Sequence, residues 1–127
     1  MERRQLLFTI LKGIAVGMVT GRLAPAQEDL DPVKMMPDTH KLLFENRFVR
    51  VIEGKVPAGG YEPRHRHPNN VMVYLADFDA EVKTYPNSEW TRTHRAFGTA
   101  TWNEASVHEV KIVGNAPSHT VRVELKC

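Results

Sequence analysis

Beyond residue 40 the chain consists of short segments rich in β-branched and aromatic residues, separated by turn signals at spacings of roughly 8 to 12 residues. It contains no convincing amphipathic helix in this region. This pattern is typical of a β-sandwich or β-barrel, and a chain of 127 residues has room for one such domain. We expect strands near residues 41–45, 47–56, 70–76, 80–85, 89–95, 99–102, 107–113 and 119–126.

The first 26 residues have the composition of an export signal. Arg3 and Arg4 precede an apolar stretch over residues 6–19, and small residues lead up to Ala26, where a signal peptidase could cut. A membrane-spanning helix needs about 20 apolar residues, and this stretch is shorter and contains Lys12. We therefore expect a cleaved signal peptide and a periplasmic or extracellular protein that is not attached to a membrane. The two arginines fit a twin-arginine signal or a general secretory signal, and both routes stay open.

Cleavage would leave an arm and a β-domain with almost no net charge. Residues 27–39 contain prolines and acids without a periodic pattern, so we expect an extended arm or linker before a barrel over residues 40–127. Four of the 17 basic residues and one of the 15 acidic residues lie in the export signal, so its removal changes the formal charge from +2 to −1. The remaining charge does not favour a nucleic-acid partner.

The last two predicted strands show the clearest alternation of apolar and polar residues. In the first of them, His108 shares a face with Val110 and Ile112. We expect the apolar face of each strand, with its histidine, to point into the domain. The predicted inward face of the final strand carries His119, Val121, Val123 and Leu125. Its predicted outward face carries Thr120, Arg122, Glu124 and Lys126.

Three histidines are placed to share one metal ion. His65 and His67 are two residues apart, so in an extended segment both imidazoles point to the same side, and His108 is the inward histidine of a later strand. Neutral imidazoles suit Zn, Fe, Ni, Cu and Mn, and three protein ligands leave coordination positions open. The alternative is that the three histidines fill the interior and hydrogen-bond to each other or to water. We expect His40 and His94 at the surface.

The sequence around these histidines resembles the two sequence motifs of the cupin superfamily. Residues 59–75, in which Gly59 is followed after five residues by the pair His65 and His67, are similar to the first motif. Residues 98–115, which contain His108, are similar to the second.

Over about residues 40–126, this resemblance implies a small cupin, which is an all-β double-stranded β-helix barrel of jelly-roll type with a metal at its centre. Cupins bind the metal through two histidines and a glutamate of the first motif and one histidine of the second. His65, His67 and His108 match three of these positions, whereas Val71 stands at the glutamate position. The resemblance therefore implies one divalent metal ion held by three histidines.

Five further residues are candidates for a ligand pocket. Met72 and Tyr74 would line the barrel if their face points inward, Met72 through core packing and Tyr74 as a hydrogen-bond donor to a ligand. We expect Glu62 and Arg64 at the barrel rim, either solvated or in contact with a ligand. His119 is expected in the core or at the barrel mouth.

These observations predict an exported metal-binding protein that acts on a small anionic molecule, because a metal held by neutral ligands keeps its full charge. If the protein is an enzyme, we expect dioxygenase, isomerase or lyase chemistry. The alternatives are a non-catalytic module that binds a small ligand or a metal, and a metal-free structural dimer. Residues 71–75 are apolar on both faces, which fits a homodimer whose partner covers one face.

Overall fold

A computed structural model describes residues 28–127, which form nine β-strands and one short helix. The predicted export signal and its cleavage site lie outside this range. Within it, no helix has the length and apolar character needed to cross a membrane. The helix α1 covers Pro32–Met35. The strands are β1 (His40–Glu45), β2 (Val49–Val56), β3 (Tyr61–His67), β4 (Asn70–Tyr74), β5 (Phe78–Thr84), β6 (Thr91–Arg95), β7 (Ala100–Asn103), β8 (Ser106–Val113) and β9 (Ser118–Leu125).

The strands form two antiparallel sheets that pack face to face. One sheet has the order β1-β2-β9-β4-β7, and the other has the order β3-β8-β5-β6. Both sheets contribute to the apolar core, because apolar strand faces are stable only when buried against another layer. The all-β fold class predicted from the sequence is confirmed. The buried core cluster contains Val56, Tyr74, Phe78, Ala80, Val110 and Ile112.

All eight predicted strands are present, with ends shifted by a few residues at most. The strand β3 was not predicted, although its histidines were expected in an extended segment. Its sequence contains Pro63 and five charged or histidine side chains, so it lacks the apolar alternation of a half-buried strand. Pairing with β8 nevertheless buries Glu62, His65 and His67 on one face.

The orientation of β9 is the reverse of the predicted one. Thr120 and Glu124 are buried, and Arg122 lies between them on the same inward face. Val121 and Val123 point outward and are half-buried. The period of two is as predicted, but the assumption that the apolar face points inward is wrong here. This side of the barrel encloses polar groups around the histidines, so the inward face of β9 is polar.

The strand β4 provides the opposite side of the interior. Met72 and Tyr74 face inward and line a cavity. Val71 alternates with them and pairs in register with the outward residue Val123, so it faces outward as well. The position of the glutamate in the cupin resemblance therefore does not point at the histidines. The inward residues nearest to it are Asn70 and Met72.

The segment before β1 differs from the predicted extended arm. Asp31 caps α1 by accepting a hydrogen bond from the backbone N–H of Val33 at 3.1 Å, and Pro32 follows at the start of the helix, where no N–H is needed. Leu30 and Met36 on either side of the helix are buried. The helix has too few residues to show a periodic pattern, and it packs against the barrel.

Asp31 also anchors this segment to the barrel. Its two carboxylate oxygens accept hydrogen bonds from the Arg50 guanidinium at 2.9 and 3.0 Å. The guanidinium lowers the pKa of Asp31 below its ordinary value of 3.8. A lowered pKa means that the stabilisation is fully present above the unfolded-state pKa and is lost as the pH falls through the folded-state pKa.

We predict that Asp31→Asn lowers the free energy of unfolding by about 1–3 kcal/mol at about pH 7, because it removes the charge from two hydrogen bonds. The deficit should shrink as the pH falls below about 4, where the wild-type carboxylate also becomes protonated. Urea unfolding at a series of pH values measures both effects. Asp38→Asn is the control, since Asp38 is exposed and makes no ion pair within the described part of the chain. A deficit of equal size at every pH would contradict this role.

Candidate metal centre

The pairing of β3 with β8 brings the three predicted histidines together. His65 lies opposite His108 in the register, and His67 lies two residues further along β3 on the same inward face. The Nε2 atoms of His65 and His108 are 2.9 Å apart, and one nitrogen from each ring lies within 4.8 Å of the other two. Two neighbouring ligands at metal–nitrogen distances near 2.1 Å lie about 3 Å apart, which matches the separation of His65 and His108.

Hydrogen bonds orient both histidines of β3. His65 Nδ1 donates to the carbonyl oxygen of Pro63, and His67 Nδ1 donates to a carboxylate oxygen of Glu124, both at 2.7 Å. A neutral imidazole carries one proton, so the Nε2 atom of each ring keeps a lone pair. Metal-binding histidines are held in this way, by a carbonyl or carboxylate acceptor on the nitrogen that does not bind the metal.

The surroundings of His67 Nε2 indicate that the cluster could hold a metal ion. This atom is buried and has no hydrogen-bond partner among residues 28–127. Buried polar atoms without a partner are rare in folded proteins. A cation shared with the Nε2 atoms of His65 and His108 would satisfy it, and it would also separate two nitrogens that otherwise face each other at 2.9 Å. The donor set of three imidazoles therefore fits a divalent transition metal.

All three histidines are held in the neutral form. Burial lowers the pKa of His65, lowers that of His67 well below its ordinary value, and lowers that of His108 to about 3. The positive charge of Arg122 adds to the shift at each of them. Neutral imidazole is the form that binds metal, so an ion would not have to displace a proton from any of these rings.

A carboxylate and a further histidine lie beside the cluster. Glu62 Oε1 is 3.9 Å from His65 Nε2 and 3.0 Å from His40 Nε2. A β-bulge between Glu62 and His65 places both side chains on the inward face, although they are three residues apart. Glu62 is buried rather than solvated at the rim, and the predicted surface position of His40 is wrong because this side chain is buried as well. The one sequence signal for the bulge is Pro63, which cannot donate a ladder hydrogen bond.

A cavity of about 710 Å³ adjoins the cluster. His108 and Glu62 line it, and so do the predicted pocket residues Met72 and Tyr74. The Tyr74 hydroxyl shares a hydrogen bond of 2.9 Å with the Thr101 hydroxyl. The volume lies in the range of small-molecule sites, and the cavity combines apolar walls with a few polar groups.

Two predicted pocket residues lie elsewhere. Arg64 forms an ion pair with Glu28 and does not line the cavity. His119 lies on the outer face of β9, where its Nε2 is 2.9 Å from a carboxylate oxygen of Glu53. His119 lies outside the cavity because the orientation of β9 is the reverse of the predicted one. His94 is exposed, as predicted.

Arg122 lines the cavity although it was predicted to face outward. Its Nη1 donates to the side-chain oxygen of Asn70 at 2.7 Å. The sequence places Arg122 on the same face as Thr120 and Glu124, but alternation alone does not say which face of a strand points inward.

Comparisons with known proteins identify the fold. The sequence matches no protein-family model, and no curated protein is significantly similar to it. Solved structures are similar in three dimensions. A cupin domain from Bordetella pertussis Tohama I has a TM-score of 0.64 at 19% identity, and the alignment covers 80% of this chain and 100% of that one.

Two other solved structures show the same architecture. A protein with a double-stranded β-helix domain from Klebsiella pneumoniae has a TM-score of 0.56 at 17% identity, covering 85% of this chain and 86% of that one. A DMSP lyase from Ruegeria pomeroyi has a TM-score of 0.54 at 17% identity, covering 72% of this chain and 49% of the lyase. The predicted resemblance to cupins is thus confirmed, and at this level of identity it establishes the fold.

We predict that Glu124→Gln weakens metal binding by about 10- to 100-fold, because the carboxylate that orients His67 is lost. Competition with a chromophoric chelator measures the affinity. Glu53→Gln is the matched control, since it removes the same kind of carboxylate–histidine contact, from His119 on the outer face. Wild-type affinity in Glu124→Gln would show that Glu124 does not orient a metal ligand.

Proposed function

We propose that this chain, which has the cupin fold, binds one divalent metal ion through the Nε2 atoms of His65, His67 and His108. The observation that carries the proposal is the convergence of three neutral imidazoles around the buried, unpartnered Nε2 of His67. The hydrogen bonds from Nδ1 of His65 and His67 support it, because they leave both Nε2 atoms free to bind.

The donor set is compatible with iron, zinc, manganese, nickel or copper. Bound there, such an ion would supply Lewis-acid or redox chemistry at the coordination positions that three protein ligands leave open. We propose that a small anionic molecule binds in the adjoining cavity. The fold is shared with a DMSP lyase, so a lyase reaction is one candidate. Dioxygenase and isomerase reactions are equally compatible, since one fold supports many reactions.

Among residues 28–127, Glu62 and His40 are placed to move a proton at the site. Glu62 lines the cavity, and its Oε1 lies 3.9 Å from His65 Nε2. His40 Nε2 is 3.0 Å from the same oxygen, and His40 Nδ1 is 2.9 Å from the Thr39 hydroxyl. A carboxylate held in this way can accept a proton from a molecule bound in the cavity, while His40 fixes its orientation.

Two alternatives differ in what they require of the histidines. A non-catalytic binding module would use the same metal and cavity without turnover. A metal-free structural protein is favoured by the 2.9 Å contact between His65 and His108, which could be a hydrogen bond. That arrangement would still leave His67 Nε2 buried without a partner among the described residues, and this weighs against it.

Metal content separates the metal-free structural protein from the other two functions, and turnover of a substrate would separate an enzyme from a binding module. We predict that the full chain, purified without chelator or polyhistidine tag, contains close to one metal ion per chain by plasma mass spectrometry. His65→Ala and His108→Ala should each lose it, because two imidazoles do not hold the ion.

The control variants are His94→Ala and His119→Ala, which remove histidines outside the cluster and should keep the metal. A wild-type chain that is free of metal, resists reconstitution and folds as stably as the cluster variants would contradict the proposal.

A further inference from the structure

Arg122 brings a positive charge into the interior of the barrel. It lies on the inward face of β9 between the buried residues Thr120 and Glu124, and it lines the same cavity as His108. Burial lowers the pKa of its guanidinium. Arg95 lines this cavity as well, and its positive charge also lowers the pKa of Arg122. Two cationic side chains therefore line one cavity, whose walls also include the carboxylates of Glu62, Glu89 and Glu104.

The hydrogen-bond partner of Arg122 is a neutral amide. Nη1 donates to Asn70 Oδ1 at 2.7 Å, and this oxygen also accepts a hydrogen bond from Asn103 at 3.2 Å. Asn70 is buried and is held by its own hydrogen bond to the Pro68 carbonyl at 2.8 Å. Its amide fixes the guanidinium in place without neutralising it.

The two acidic residues whose charges act most strongly on Arg122 have other partners. Glu124 accepts from His67 at 2.7 Å and lies 3.3 Å from Arg50, and Glu62 lies 3.0 Å from His40. Within residues 28–127, no carboxylate oxygen lies within 4.0 Å of a nitrogen of Arg122. Its charge is therefore not balanced by a direct ion pair in this part of the chain.

An unpaired charge in the interior costs stability, and apolar side chains of similar volume often replace buried charges without loss. Methionine would fill much of the same space without that cost. An anion in the cavity would compensate the guanidinium, and the planar fork of arginine matches a carboxylate with two parallel hydrogen bonds. Arg122 thus has the surroundings of a receptor for an anion that is not part of the protein.

We propose that the barrel cavity binds an organic acid, with its carboxylate on the Arg122 guanidinium and its apolar part against the walls that include Val56, Phe78 and Ile112. This inference rests on the proposed function, since it names the ligand class of the same site. A cavity of about 710 Å³ has room for a small organic acid. An inorganic anion would balance the charge but would leave the apolar walls without contact, and for this reason we favour the organic acid.

The test compares acids with their neutral amides. Acetate, hexanoate and benzoate, each beside the matching amide, are titrated into the full chain at constant ionic strength, and binding is followed by NMR chemical shifts. The titrations use a chelator-treated form and a zinc-loaded form. We expect hexanoate or benzoate to bind at least about tenfold more tightly than its amide and than inorganic phosphate.

The variants assign the binding to Arg122. Arg122→Met should weaken binding of the preferred acid at least about tenfold in both forms, and Arg122→Lys, which keeps the charge without the fork, should weaken it less. Arg47→Met is the control, since it removes one positive charge from an exposed position. Without ligand, Arg122→Met should unfold at the same temperature as the wild type or a higher one, whereas a merely structural arginine would lower it.

Failure of this inference can be told apart from failure of the metal site. Acid binding that depends on Arg122 in a chain that holds no metal would uphold the receptor and contradict the metal proposal. Metal binding without any preference for an acid over its amide would uphold the metal proposal and contradict the proposed acid receptor. Phosphate binding as tightly as the best acid, or wild-type binding by Arg122→Met, would also overturn the inference. If Arg122→Met does not fold, undiminished binding by Arg122→Lys would count against the role of the fork.

Discussion

The antiparallel pairing of β3 with β8 is the interaction on which the candidate site depends, because it sets His65 opposite His108. A shift of this register by one residue would turn every side chain of β3 to the other face and separate the two imidazoles. The same strand β8 carries Val110 and Ile112 in the apolar core. Core packing therefore fixes the position of a candidate metal ligand, and the bulge in β3 adds Glu62 to the same face.

A chain of polar contacts links the surface to the histidine cluster. Asp31, at the start of the helix before the barrel, holds Arg50, which lies 3.3 Å from Glu124, and Glu124 in turn orients His67. Burying charged groups costs stability, and the cost is largest where a charge is not paired. Most of these are paired, and Arg122 stands out because its direct partner is an amide. The barrel interior is thus divided between an apolar core and a polar region organised around the histidines.

The sequence was sufficient for the fold class and for the histidine cluster, because strand spacing and the two-residue separation of His65 and His67 depend on local backbone geometry. It was insufficient where a long-range feature decides which way a side chain points. The polar residues of β9 predict a solvent-exposed face, but this face points into the barrel. For this reason the sequence placed Arg122 outside and His119 inside. Glu62 reaches the cluster through a bulge, which residue counting does not reveal.

If three imidazole Nε2 atoms share one ion, anomalous diffraction will locate that ion between them. Crystals of the zinc-loaded full chain would be measured on both sides of the zinc absorption edge. We predict one strong peak at about 2.0–2.1 Å from the Nε2 atoms of His65, His67 and His108. A peak elsewhere, for example at the exposed pair of His94 and Asp79 whose atoms lie 2.7 Å apart, with the cluster free of metal, would contradict it.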